Sequence, residues 1–315
     1  MNVTTPFISI LIPCYNEEPN IAWHHSKLTS FLEKSTYRYE IIYIDDGSRD
    51  NTLALIKGIV RDDNHSRYLS FSRNFGKEAA ITAGMRAAHG DAVITIDADG
   101  QHPIELLDKF VTLWREGNDV VVGVRVANQG EGFIKAAGSK LFYKSLRLLD
   151  NSKNLVTATT DFSLIDRRVI DEYNKLTERN RVTRNLIEWL GFKRTYISFK
   201  ANSRHAGTAA YSFRKLMKLA LNGAVSHSTR PLKFIGALGT FISIASFLAV
   251  SCLMLEQYIL SDPLHLAISG TAILALFLSF MIGIVLVCQG LLALYLENVY
   301  HETQNRPLYI IREET

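Results

Sequence analysis

Cysteine is nearly absent. Cys14, Cys252 and Cys288 stand far apart in a chain of 315 residues, without the paired spacing of a zinc site or the density of a disulfide framework, and a reducing compartment fits. An excess of one charge is missing too. The 35 Lys and Arg against 31 Asp and Glu leave a net charge of +4, too little to argue for nucleic acid as a partner. His24, His25, His65 and His205 have no spacing that suggests zinc, and they read as surface or loop residues. Residues 1–7 lack the basic and apolar segments of a signal peptide, so export is not expected. What the chain does have is apolar material. At 47% hydrophobic and 21% charged residues it can fill one or two domains with real cores, and it is not a disordered protein.

The first two hundred residues alternate apolar β-branched runs with longer amphipathic stretches. That pattern predicts the α/β class, a mainly parallel sheet covered by helices. Strands are expected near residues 7–12, 40–44, 68–72 and 92–96, and helices over 20–32, 51–60 and 78–88. Residues 180–190 read as an amphipathic helix with Leu186 and Trp189 turned to the core, followed by a strand at 195–200. In an open α/β sheet ligands bind in the crevice beyond the strand C-termini, so the loops there carry the functional interest. Pro13 is expected to stop the first strand and to open a ligand-facing loop through Tyr15, Asn16 and Glu17. Asp45 and Asp46 end the second strand, where two adjacent carboxylates are costly unless paired; a base edge or ribose hydroxyl would do. Asp50 is the expected cap of the following helix, with Ser48 as the alternative. Arg73 and Lys77 stand at the next helix start, where phosphate is favoured.

The most informative stretch is Asp97-Ala98-Asp99-Gly100-Gln101, set after an apolar run. Alternate residues of an extended chain point the same way, so Asp97, Asp99 and Gln101 can converge on one face. Such an oxygen-rich set suits Mg²⁺ or Mn²⁺, which is held by one or two carboxylates and completes its shell with water and phosphate. A nucleotide diphosphate is the natural third party. A polar strand-to-loop turn is the plain alternative.

Taken together, Pro13-x-Tyr15-Asn16-Glu17, Asp45-Asp46-Gly47-Ser48, Arg73-Asn74-x-Gly76 and Asp97-Ala98-Asp99-x-Gln101 resemble family 2 glycosyltransferases of the GT-A fold. The resemblance continues through Gly123-x-Arg125, Asp161-Phe162-Ser163-Leu164 and Arg204-x-x-Gly207, and it is closest to the polyprenyl-phosphate glycosyltransferases. It implies that Pro13, Tyr15, Glu17, Asp45, Asp46, Lys77, Asp97 and Ala98 bind the nucleotide-sugar, and that Asp97, Asp99 and Gln101 hold Mg²⁺ or Mn²⁺ on its diphosphate. Arg125 and Arg204 match contacts to donor or acceptor phosphate. Asp99, Asp161, Arg125 and Arg204 are the expected catalytic group, with Asp161 orienting acceptor or sugar, taking a proton, or pairing with Arg167 or Arg168. The family usually places a lysine where this chain has Ala210, with Arg214 or Lys215 as substitutes. No Gln-x-x-Arg-Trp signature of processive synthases occurs, which favours one sugar per acceptor. The expected activity is therefore inverting, metal-dependent transfer of a single sugar, UDP-glucose being the leading donor, to undecaprenyl or another polyprenyl phosphate for cell-surface glycan modification. A nucleotide-sugar-binding or scaffold protein without transfer activity is the alternative.

Composition changes after Pro231. Residues 234–255 and 266–296 are uncharged runs of 22 and 31 residues, each longer than the roughly 20 needed to span a bilayer. The expected organisation is a catalytic domain over 1–210, an amphipathic interfacial helix over 211–230, two transmembrane helices over 231–298 and a C-terminal tail over 299–315. A second basic amphipathic helix is expected at 134–149. Basic residues flank the runs while the connector has none, which predicts a multi-pass bacterial inner-membrane protein with catalytic domain and both termini cytoplasmic. Gln289 inside the second run suggests a homo-oligomer, and the family resemblance implies a tetramer.

Overall fold

The computed structural model describes residues 5–126, 159–179, 181–202 and 270–315, with the isolated positions 241, 244 and 248. The chain divides into two compact units. One comprises residues 1–132, 156–210 and 305–315, and the other residues 133–155 and 211–304.

The first unit is built on one sheet. Its strands are β1 (Phe7–Cys14), β2 (Arg38–Asp45), β3 (Ser66–Phe71), β4 (Ala92–Thr95), β5 (Val120–Arg125), β6 (Thr159–Asp166), β7 (Arg194–Phe199) and β8 (Ile311–Glu314). They lie in the order β7-β5-β6-β4-β1-β2-β3-β8. Neighbours β4, β1, β2 and β3 run parallel, whereas β6 is antiparallel to both β4 and β5. The helices are α1 (Glu18–Leu32), α2 (Thr52–Asp62), α3 (Lys77–Ala87), α4 (Leu107–Arg115), α5 (Arg167–Lys175) and α6 (Thr183–Trp189). This bears out the α/β reading.

Alternation within the central strands explains why their sequences are largely apolar on both faces. Ile10 and Ile12 enter one core with Tyr43, Ile94, Phe110 and Phe162, while Leu11 between them enters the other with Ile42, Ile44, Val93 and Tyr173. Both faces of the sheet are covered, so both are largely apolar, and the few polar residues such as Ser9 and Thr95 are small and buried with them. β1 runs on through Pro13, which pairs in register with Ile44. The reason is local: pairing with β4 ends at Leu11 and Thr95, so the N–H that proline lacks would have faced a side where no strand continues.

Two expectations about side chains are corrected. His24 is not a surface residue; it lies on the inward face of α1 and is buried, and His25 is half-buried with Nδ1 2.9 Å from the Tyr43 hydroxyl. Trp189 is not core either. It is the last residue of α6 and is 73% exposed, although Leu186, one turn earlier, packs on the second core.

In the second unit the helix α7 (Gly270–Thr303) is 34 residues long. The expected interfacial helices at 134–149 and 211–230 lie outside the described residues, as does nearly all of the run 234–255. Taken over the described residues and their described side chains, no helix is long and apolar enough to cross a membrane. The expected placement as a multi-pass inner-membrane protein is therefore withdrawn. The last residues form no free tail: β8 pairs antiparallel with β3, and Lys57 Nζ meets Glu313 Oε2 at 2.6 Å.

Tyr309, just before β8, stacks on Phe71 with ring centroids 5.0 Å apart. Truncation of the full chain after Leu308 is expected to lower stability by about 2 kcal/mol, from the lost aromatic pair and the uncovered edge of β3. A urea denaturation midpoint unchanged by the truncation would show that β8 contributes nothing.

Candidate active site

The C-terminal ends of β1, β2, β3 and β4 share one edge of the sheet, and antiparallel β6 brings its N-terminal half to that same edge. The register pairs Thr95 with Ser163, so Asp97 and Asp161 lie two residues further on, on neighbouring strands. Both carboxylates meet the first side chain of α3. Lys77 Nζ is 2.6 Å from Asp97 Oδ1 and 3.0 Å from Asp161 Oδ2. Burial opposes the charge on Lys77, but the two carboxylates outweigh it and hold the ammonium above its ordinary value. Burial likewise opposes ionisation of Asp97, and Lys77 outweighs it and brings the carboxyl below the usual carboxylate range. The anticipated pairing of Asp161 with Arg167 or Arg168 does not occur. Arg167 donates to the carbonyls of Ala88 and Gly90, and Arg168 pairs with Asp119 and Asp166.

Asp45 and Asp46 are both buried. Their partners are internal. Asp45 accepts from the Ser48 N–H at 3.1 Å and the Ser70 hydroxyl at 2.8 Å, and Asp46 accepts the N–H groups of Phe75 and Gly76 at 2.6 and 2.9 Å. Burial raises the Asp46 value above the ordinary range, and those two N–H groups partly offset it. The carboxylate at the end of β2 thus shapes the loop that delivers Lys77. Gly47 permits this approach: with φ at +66°, it sits where a Cβ would lie 2.4 Å from the backbone carbon of Arg73. The Arg73 guanidinium lies over the Phe75 ring, 4.0 Å from its centroid.

The loop after β1 is tied to the loop after β2 by side chains. The Asn16 N–H donates to Ser48 Oγ at 3.0 Å, the Glu17 N–H to Thr52 Oγ1 at 2.8 Å, and the Arg49 N–H to Asn16 Oδ1 at 2.9 Å. The N-cap of α2 is Asn51 and not Asp50 or Ser48, and it makes no side-chain capping bond; Asp50, one residue earlier, accepts the N–H of Thr52 and that of Glu18. Tyr15 is exposed, Pro13 and Glu17 are half-buried, and Ala98 is buried. Burial pushes the Cys14 thiol well above its ordinary value, so it is a neutral core group.

Asp99 Oδ1 accepts the Gln101 N–H at 3.0 Å, and Gly100 between them takes φ +76° with Trp23 directly behind it. Arg125 ends β5 and is exposed; Arg204 and Ala210 lie outside the described residues. Among the described residues no three His, Cys, Asp or Glu side chains are grouped to hold a metal ion. Asp97 and Asp99, two residues apart beyond β4, offer hard oxygen donors. That set fits Mg²⁺ or Mn²⁺ shared with substrate phosphate, and does not fit an all-protein cage.

His102 went unnoticed in the sequence, although it stands one residue beyond the Asp-x-Asp-x-Gln stretch. It is buried, stacks on Phe162 with centroids 4.7 Å apart, and accepts the Asp97 N–H on Nδ1 at 3.1 Å. Burial keeps its value below that of a free imidazole, and burial holds His24 down to about 4. The acceptor role of Nδ1 makes His102 a neutral ring beside Asp97.

A family profile described as Glycosyl transferase family 2 matches residues 9–174. An uncharacterized glycosyltransferase, sll0501, of Synechocystis sp. is 37% identical over 306 residues, 97% of this chain and 95% of that protein. The bactoprenol glucosyl transferase of Shigella phage SfV is 34% identical over 307 residues, 98% of each chain. The prophage bactoprenol glucosyl transferase homolog of Escherichia coli K12 is 33% identical over 305 residues, 97% of this chain and 98% of its own. Among solved structures, glucosyl-3-phosphoglycerate synthase from Mycobacterium tuberculosis, in complex with Mn²⁺, UDP and glucosyl-3-phosphoglycerate, covers 70% of this chain and 78% of its own. Its TM-score is 0.50 at 18% identity, a likeness of fold alone. With the family match it bears out the GT-A-like α/β sheet.

Asp46→Ala is expected to cost roughly 2–5 kcal/mol, because two half-buried N–H groups lose their acceptor. Amide hydrogen exchange at Phe75 and Gly76 should rise with it; protection equal to wild type would show that the carboxylate does not hold this loop.

Proposed function

The chain belongs to glycosyl transferase family 2 and is a glycosyltransferase, and from that premise we propose that it transfers one glucose from UDP-glucose to undecaprenyl or another polyprenyl phosphate. The reading is carried by the convergence of Asp97, Asp161 and Lys77 at the strand ends, in a chain that matches bactoprenol glucosyl transferases along nearly its whole length. Tyr15, Glu17 and the loop ties of Asp45 and Asp46 would frame the nucleoside. Asp97, Asp99 and Gln101 would hold Mg²⁺ or Mn²⁺, as suits a fold shared with an enzyme crystallised with Mn²⁺ and UDP. When bound, the cation supplies positive charge to a diphosphate leaving group.

The remaining chemistry follows from charge. A phosphate monoester has a second pKa of about 6, so the acceptor oxygen is largely ionised near neutrality and needs no strong general base. Asp161, with an ammonium as its partner, suits an orienting role. Arg125 and Arg204 would stabilise negative charge on donor or acceptor phosphate. A single displacement inverts the anomeric centre. A homo-oligomer is part of the same proposal and is read by sedimentation of the purified chain.

Purified protein incubated with radiolabelled UDP-glucose, Mg²⁺ and polyprenyl phosphate is expected to yield a labelled lipid. Asp99→Asn should lower the rate on the order of 10²-fold or more, and EDTA should abolish it. Undiminished transfer by Asp99→Asn, or in excess chelator, would overturn the reading.

A further inference from the structure

Asp97 and Asp161 come from two strands, and one ammonium from a helix joins them. Among the described residues, Lys77 is the sole Lys or Arg whose nitrogen lies within 4.0 Å of either carboxylate. Among the described residues His102 also stands beside Asp97, with Nε2 4.0 Å from Oδ2. That ring accepts the Asp97 N–H on Nδ1 and is neutral, so it brings no formal charge. Lys77 therefore does for this pair of acids what a bound cation would do. Its side chain is 41% exposed, on a flexible four-carbon stem that can swing away without disturbing either strand.

We infer that Lys77 is an internal stand-in cation, which holds Asp97 and Asp161 in the donor-free enzyme and yields Asp97 when a divalent ion arrives with the nucleotide diphosphate. This rests on the reading that Asp97 and Asp99 hold a metal shared with that diphosphate. A divalent ion arriving alone must evict the ammonium and then face it as a like charge. A diphosphate arriving with the ion gives the evicted ammonium an anionic partner near the start of α3, where the helix N–H groups also favour phosphate. Metal and nucleotide then bind cooperatively, and Lys77 is the source of the coupling. Its role is positioning: it acts on Asp97 and Asp161 and enforces the order in which the site fills.

The test is binding of Mn²⁺ to the purified full chain, read from the free-ion electron paramagnetic resonance signal with and without UDP. Thermal denaturation checks that each variant is folded. In the wild type, UDP should tighten Mn²⁺ binding at least about fivefold. Lys77→Met should bind Mn²⁺ alone at least about fivefold more tightly than wild type, with most of the UDP enhancement gone. Lys77→Arg keeps the charge and should keep weak binding of Mn²⁺ alone; Lys77→Gln replaces the Met variant if that one does not fold. Unchanged or weaker binding of Mn²⁺ alone by the neutral variant, with UDP enhancement intact in wild type, overturns the inference and leaves the metal–nucleotide reading standing. Tightening by Lys77→Arg equal to that by Lys77→Met overturns it too, since charge would not be the cause. A wild type that takes up no Mn²⁺ even with UDP sinks the metal–nucleotide reading itself.

Discussion

A carboxylate at the end of a buried strand is tolerable only when donors reach it, and this constraint organises one whole edge of the sheet. Four acids stand there, Asp45, Asp46, Asp97 and Asp161, and each finds a partner supplied by another element. The partners differ in kind. At the end of β2 they are backbone N–H groups and hydroxyls, which are fixed in place and permanent. Where β4 meets β6 the partner is a lysine, which is charged, long and mobile. A buried acid satisfied by backbone is architecture, because nothing can replace its donors without unfolding a loop. An acid satisfied by a flexible ammonium can exchange that partner for another cation. The division between scaffold and chemistry thus runs between Asp45 and Asp46 on one side and Asp97 and Asp161 on the other.

Most of the sheet was legible in the sequence because both of its faces are buried. Ile41 to Ile44 is apolar throughout, and Ile8 to Ile12 and Ala92 to Ile96 are broken only by the small buried hydroxyls of Ser9 and Thr95, so runs of that length have few other solutions. Boundaries were less legible. Proline marks a strand end when its missing N–H would face a neighbour, and Pro13 faces none, so β1 ran two residues further than its composition suggested. The loops at the sheet edge were legible as acidic, but their partners were not. That Asp46 would bind Phe75 and Gly76 depends on a crossing of two loops some 30 residues apart, which no local pattern encodes. His24 and His102 were misread or overlooked for a related reason. A histidine on a helix, such as His24, or in a loop, such as His102, looks like any polar residue until the facing element is known, and both rings are buried.

The end of the chain bears on the site through β3. That strand leads directly into the loop of Arg73 to Gly76, and so into Lys77, yet without a neighbour it would be an open sheet edge. β8 covers it: Ile310 accepts the Ser72 N–H at 3.0 Å, Tyr309 stacks on Phe71, and the Arg86 guanidinium of α3 stands 5.8 Å from the centroid of the Tyr309 ring. One aromatic side chain from the C-terminal segment therefore touches both the strand before the Lys77 loop and the helix after it. The loop is held by Asp46 from within, and Tyr309 touches the strand before it at Phe71 and the far end of the helix after it at Arg86. A mobile lysine is useful as an exchangeable partner only if its backbone does not move with it. The strap over β3 and the carboxylate under the loop fix that backbone, leaving the four-carbon stem of Lys77 as the part free to respond.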